Sequence, residues 1–516
     1  MDEQLVIIEQ LKKTLQLLTV EQEQNKIKAQ NVGSPDAKAS AAASDNDVSA
    51  QFLYEDCADL FIDFTYKNPT TYHVVKFAAN MLEKSGFKYL CEKGQWDKCI
   101  GKEGGKFYTI RNGTNLVAFV IGKNWTVPKG AGIIGSHIDA LAAKLKPASL
   151  KDHVEGFDVL GVAPYGGSLG EQWFDRDLGL GGRVLYHDED SDVIKEKLID
   201  TTPYPIAKIP SLAPHFGKPS EGPFDKEDQA VPIVGYPTGT PVPANDKEKT
   251  SPLYGKHCIN LLRYIAKQAG LKVCQLTQLD LDLFDVQKGV IGGINEDFIF
   301  APRLDDRLCS FAALWAMDMY SHTVDVSTSE DFSVLALFDN EEVGSLTRQG
   351  AQGGLMESVI ERVSHAHAGA DCADLRTLYA NSIIISADVN HMFNPNFKEV
   401  YMPRHSPKPN VGVTLSLDPN AHMATDNVGV AFVEQLARKN GDKLQYFQIK
   451  NNSRSGGTIG PYLARTGARV IDLGIAQLSM HSIRAATGSQ DVGLGIKFFN
   501  GFYQNWRSVY DNFGDL

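Results

Sequence analysis

Three apolar runs, SVLALF (333–338), SIIISA (382–387) and RVIDLGI (469–475), alternate with stretches of helical periodicity such as CSFAALWAMDMYS and NVGVAFVEQLARKNG. Strands that are apolar on both faces need cover on both sides. The pattern therefore predicts a mostly parallel sheet flanked by helices on either face, an α/β fold. The same texture appears earlier. FLYEDCADLFIDFTYKN and TYHVVKFAANMLEKSG have helical periodicity, while FYTIRNG, NLVAFVIG and GAGIIGS are strand-like. Between these two regions the chain changes character. Glycines cluster in YGGSLGEQWFDRDLGLGG, and ten of the 23 prolines fall between Pro203 and Pro243. Such density predicts short strands and long ordered loops. The expected organisation is an N-terminal module (1–51), an α/β domain in two parts (52–144 and 286–516), and an inserted β-rich domain at 145–285.

With 516 residues the chain has room for two or three domains and a large core. Its net charge of −12 argues against general binding of a nucleic-acid backbone, which needs a basic surface. No apolar run approaches 18 residues, so no membrane-spanning helix is expected. The first residues, MDEQLVIIEQLKK, lack a basic leader and do not read as a secretory signal. The seven cysteines are odd in number and widely spaced, with no C-x-x-C pair. A disulfide framework or cysteine zinc site is not expected, and synthesis in a reducing cytosol is.

Residues 2–20 read as a short helix with Ile8, Leu11, Leu15 and Leu18 on one stripe. A stripe this narrow is marginal alone and wants a partner surface. That surface is its own domain, another copy or a receptor. Residues 32–51, NVGSPDAKASAAASDNDVSA, have linker composition.

In open α/β sheets, functional groups collect beyond the carboxyl ends of strands. GAGIIGS runs into His137 and Asp139. SVLALF runs into Asp339, Asn340, Glu341 and Glu342. SIIISA runs into Asp388, and RVIDLGI is followed by His481. Asp305 and Asp306 precede a helical stretch in APRLDDR. Imidazoles and carboxylates without thiolates form the ligand set of a hydrolytic zinc or manganese site. A two-metal centre needs about five protein ligands and a free carboxylate as base. Glu341 and Glu342 can divide those last two roles, and Asp139 can orient His137. Singly, each motif is more often a surface pair, a solvated face or a helix cap. Together they point to a two-metal hydrolase. Motifs for NTPases, Rossmann dehydrogenases, α/β-hydrolases and one-zinc proteases are missing.

The set GSHIDA, YGG…WFDRDLGLGGR, IPSLAPHFG, APRLDDRLCSF, LFDNEEVGS, SADVNHMFNPNF, HMATD, SGGTIGP and LSMHSIRAATG resembles the M18 family of metallo-aminopeptidases from about residue 52 onward. The resemblance implies two zinc ions per subunit, with another divalent ion possible at one site. His137 and Asp388 would hold one, Glu342 and His481 the other, and Asp305 would bridge them. It makes Glu341 the general base and acid, with Asp139 orienting His137. It implies that the inserted domain makes dimers, that His215 reaches a neighbouring subunit's active site, and that dimers build a tetrahedral dodecamer. Backbone groups of SGGTIGP, among them Gly457, Thr458 and Gly460, would line the substrate cleft; the alternative is a tight glycine turn. The N-terminal module looks like the propeptide of a vacuolar member. That likeness implies cytosolic synthesis, self-assembly, carriage by a selective-autophagy receptor and processing in the vacuole lumen. The acidic-preferring branch carries a lysine and a tyrosine where this chain has Ser416 and Met423. Without the cation, neutral N-terminal residues such as Leu are the expected substrates. Two alternatives are a two-metal amidohydrolase of N-acyl amino acids and a catalytically spent cargo protein.

Overall fold

The computed structural model describes residues 45–238 and 242–516. The expected helix at 2–20 and most of the linker lie outside the described residues. The end of that linker, from Asp45, is helical and runs into Asp45–Lys67 as one helix.

The sheet expected from the apolar runs is present and nine-stranded. Its centre is four parallel strands in the order Phe332–Phe338, Gly132–His137, Ile383–Ala387 and Arg469–Gly474. Antiparallel pairing with Asn115–Ile121 on one side and Thr414–Leu417 on the other makes the whole sheet mixed. Alternate residues of the central strands enter two separate cores. Ile134, Leu335, Leu337, Ile385 and Ile471 pack on one face, beneath helices Thr71–Lys84, Leu304–Thr323 and Asp491–Tyr510. Ile133, Val334, Ala336, Ile384 and Val470 pack on the other, beneath Leu355–Ala368 and Cys372–Ala380. Burying each large apolar side chain stabilises the fold by about 1.5–3 kcal/mol. Phe311 anchors the first core, meeting Phe61 edge-on at 5.6 Å between ring centroids.

The Pro/Gly-rich region forms a six-stranded antiparallel sheet in the order Val193–Asp200, Leu178–Asp188, Leu276–Asp285, Ala142–Leu150, Asp158–Tyr165 and Ile233–Gly235. It has its own core and is covered by the helix Ile259–Ala269, which the Pro/Gly density did not suggest. Its first strand begins at Ala142, slightly before the expected boundary. A third, five-stranded sheet was not anticipated: Val290–Gly292, Phe298–Pro302, Arg484–Gly488, Ala476–Leu478 and Asn390–His391. It holds the loop that carries His481.

Candidate metal centre

His137 is the last residue of its strand, and Asp388 directly follows Ile383–Ala387. Glu341 and Glu342 lie on a single 3-10 turn beyond Phe332–Phe338, entered through Asn340 in the left-handed region. His481 also has a left-handed backbone, in the turn between Ala476–Leu478 and Arg484–Gly488. Asp305 and Asp306 lie at the start of Leu304–Thr323 with non-helical dihedrals.

These residues converge. His137 Nε2 lies 3.3 Å from Asp305 Oδ1, 3.6 Å from Asp388 Oδ1 and 3.9 Å from Glu341 Oε2. His481 Nε2 lies 3.8 Å from the other Asp305 oxygen. Asp305 therefore stands between the two imidazoles. His137 is buried, whereas the His481 side chain is 63% exposed at the open side of the site. A recess of about 410 Å³, its mouth included, adjoins the site and is lined by Leu141, Trp173, Asp305, Glu342, His481 and Ile483.

Among the described residues, donor atoms of His137, Asp306 and Asp388 also lie within 4.8 Å of one another. Proximity alone does not make Asp306 a ligand. Its Oδ2 accepts from Ser136 Oγ at 2.6 Å, and its Oδ1 accepts from the Cys309 amide at 3.2 Å. Both oxygens are thus engaged with the protein, while those of Asp305 face the histidines.

The electrostatics are those of a site short of positive charge. Burial raises the pKa of Glu341 to about 8, and the charges of Asp388, Asp139 and Asp305 add to the shift against the opposing effect of His137. Asp388 rises to about 6, again through burial first. Burial, then the Asp305 charge, pushes Glu342 well above its ordinary range. Burial disfavours a charged His137, yet the carboxylates of Asp139, Asp305 and Asp388 outweigh it and raise that ring's pKa. Two buried polar atoms, His137 Nε2 and Glu342 Oε1, make no hydrogen bond. Such atoms are costly unless a ligand satisfies them. Imidazole nitrogen and carboxylate oxygen are the donors zinc takes, so the residues present fit divalent cations.

Asp139 binds the site together. Its Oδ1 accepts from His137 Nδ1 at 3.1 Å and from the Glu341 amide at 3.2 Å. Its Oδ2 accepts from the Glu342 amide at 3.1 Å and from the Tyr165 hydroxyl at 2.7 Å. Because the carboxylate only accepts, His137 Nδ1 carries the proton and Nε2 is left as the donor atom toward metal. Burial alone would raise the Asp139 pKa, but the His137 ring, the Tyr165 hydroxyl and the Glu342 amide hold it below the ordinary value.

The remaining expected residues divide. Thr458 is buried and donates to Asp472 Oδ1 at 2.7 Å, so its hydroxyl serves the protein interior and not an open cleft. At Gly460 an added Cβ would lie 2.3 Å from that same oxygen, so close approach excludes a side chain there. Gly457 has no neighbour within 4 Å of an added Cβ. His215 sits on the exposed turn Pro214–Phe216 and does not line the recess. Three residues escaped the sequence reading: Tyr165, His391 and Asp472. His391 lies on the two-residue strand that pairs with Ala476–Leu478, the strand leading into the His481 turn. Asp472 ties together two loops through Thr458 and the amide of Ala424.

Residues 64–503 match the family described as Aminopeptidase I zinc metalloprotease (M18). Vacuolar aminopeptidase 1 of Saccharomyces cerevisiae is 64% identical over 520 residues, covering 100% of both chains. The crystal structure of prApe1 superposes with a TM-score of 0.88 at 67% identity, covering 90% of this chain and 97% of that one. The Saccharomyces cerevisiae mApe1 dodecamer superposes with a TM-score of 0.82 at 62% identity, covering 90% and 100%. A chain matched over most of its length by the family, and by so similar a relative, belongs to the M18 metallo-aminopeptidases.

Proposed function

We propose that this aminopeptidase removes neutral, preferentially aliphatic residues from the free N-termini of peptides, using two zinc ions. The convergence of His137, Asp305, Glu342, Asp388 and His481 carries the reading. His137 and Asp388 would hold one ion, Glu342 and His481 the other, with Asp305 between them. When bound, the ions polarise the scissile carbonyl and make an attacking water more acidic. Glu341 takes the proton from that water and returns it to the leaving amine. Asp139 fixes the His137 tautomer and, through two backbone amides, the turn that presents Glu341 and Glu342. The deacylase alternative needs a blocked amine and fits family membership poorly. The spent-site alternative conflicts with the complete donor set.

The neutral preference rests on the specificity positions. Ser416 and Met423 offer no cation to an acidic side chain. Leu-anilide is expected to show a higher kcat/KM than Asp-anilide; faster turnover of Asp-anilide would overturn the preference.

The inserted sheet is proposed to make dimers that build a dodecamer, with His215 reaching a neighbour's site. Leu150 at the end of its strand, Val154 and Phe157 in the loop that follows, and Ile194 on the edge strand Val193–Asp200 leave apolar side chains exposed, which supports an interface on this domain. The similar Saccharomyces protein was itself solved as a dodecamer. The N-terminal module is proposed to cluster the precursor in the cytoplasm and to engage a selective-autophagy receptor for delivery to the vacuole lumen. The support is the Ile8–Leu11–Leu15–Leu18 stripe and the vacuolar name of the 64% identical relative. Leu11→Lys should abolish clustering of the full chain in light scattering. Unchanged clustering would count against the stripe.

A further inference from the structure

We propose that Tyr165, supplied by the inserted domain, is a positioning residue that seats the Glu341–Glu342 turn and the His137 ring for catalysis. The inference rests on the reading of Glu341 as the base. Tyr165 ends the strand Asp158–Tyr165 and pairs with Ala142 of the neighbouring strand. It thus belongs to the inserted sheet, yet its hydroxyl lies inside the metal centre. The hydroxyl donates to Asp139 Oδ2 at 2.7 Å and accepts from Asn340 Nδ2 at 2.9 Å. Asp139 uses its other contacts to hold His137 and the amides of Glu341 and Glu342. Asn340 is the left-handed residue from which the glutamate turn begins. One phenol therefore joins both supports of that turn.

The surrounding turn is built to deliver this hydroxyl. Ser168 Oγ accepts from the Tyr165 amide at 3.0 Å and donates to the Ala142 carbonyl at 2.7 Å. Gly166 follows with a φ of +63°, and a Cβ there would lie 2.5 Å from Leu141 Cδ2 and 3.2 Å from Glu342 Cβ. Backbone of the inserted domain thus lies directly against Glu342. The ammonium of Lys144 stands 5.2 Å over the Tyr165 ring and pairs with Asp280 and Asp282 of the same sheet. The inserted domain consequently completes the site within its own chain, apart from any part it takes in assembly.

Tyr165→Phe keeps the ring and removes both hydrogen bonds. In the assembled, zinc-loaded enzyme, kcat should fall about 10–100-fold, the usual effect of losing a group that orients metal ligands. KM for Leu-anilide should stay within about twofold, because the Tyr165 hydroxyl is spent on Asp139 and Asn340. Zinc affinity, measured by chelator competition, should weaken by about tenfold. Amide hydrogen exchange should speed up at Glu341 and Glu342, a readout independent of turnover. Asn340→Ala breaks one of those two bonds and also frees Thr347 Oγ1, so kcat and exchange should move in the same direction, and the double variant should lose less than the product of the two single losses. Unchanged exchange and kcat in Tyr165→Phe overturn the inference, as does a double variant whose losses multiply. If Tyr165→Phe alters assembly size or melting, Asn340→Ala decides: a wild-type rate there overturns the inference. Glu341→Gln separates the two readings. If it stays active while exchange quickens in Tyr165→Phe, the base assignment fails and the seating role stands.

Discussion

Replacing Glu341 by Gln should lower kcat by about 10²–10⁴-fold, the range a positioned general base and acid contributes. The amide keeps the shape of the side chain and removes its ability to take a proton. Glu341 is suited to that task because burial, then its acidic neighbours, raise its pKa to about 8. Bound cations would lower that value toward the working pH, where a carboxylate can both accept and release a proton. Metal content, measured by atomic emission, should remain at the wild-type level, because the assigned ligands do not include Glu341. KM should change little. Glu342→Gln makes the contrast, since the buried Glu342 Oε1 has no other partner. That variant should lose metal along with activity. Near-normal turnover in Glu341→Gln would remove it from the role of base. Loss of metal equal to that in Glu342→Gln would instead make it a ligand.

The parts of this site that could be read from sequence share one physical cause. The central strands are buried on both faces, so they appear as apolar runs, and the first polar residues beyond them stand out. His137, Asp388 and the Glu341–Glu342 pair stand out in this way, each at or just beyond the end of such a strand. Asp305 could not be told from Asp306 by sequence position. The choice depends on the break in the helix, which turns Asp306 toward Ser136 and leaves Asp305 between the histidines. His391 was hidden because its strand has two residues and gains its identity only by pairing beside Ala476–Leu478. Asp472 lies inside an apolar strand, and its partners Thr458 and Ala424 come from distant loops. Tyr165 sits in a Gly-rich segment that reads as a loop, although it delivers a hydroxyl to the centre. In each case the missing information was a contact between segments far apart in the chain.

The metal-free protein should become less stable as pH rises from about 5 to 8, and zinc should restore more stability at the upper end of that range. Asp388 rises to about 6 and Glu341 to about 8, each through burial first. Glu342 and Asp306 are pushed up as well, by burial and then by the nearby charges of Asp305 and Asp388 respectively. For an acid with a raised folded pKa, the folded chain holds more protons than the unfolded chain. The derivative of unfolding free energy with pH is then negative, so stability drops as pH climbs from the ordinary carboxylate value through the raised one. His137 acts in the same direction. Its raised pKa gives stability that is full below about 6.5 and lost as pH climbs through the higher folded value. Zinc reverses the arithmetic by supplying the positive charge that these groups otherwise obtain as protons. Each displaced proton makes affinity grow about tenfold per pH unit while the displaced group is still protonated. Calorimetric titration in buffers of different ionisation enthalpy should count protons released on zinc binding, with more released at pH 6 than at pH 8. Thermal melts with and without chelator should diverge as pH rises. A zinc-induced shift in melting temperature that stays constant from pH 5 to 8, with no proton release, would show that these carboxylates do not share a site with the metal.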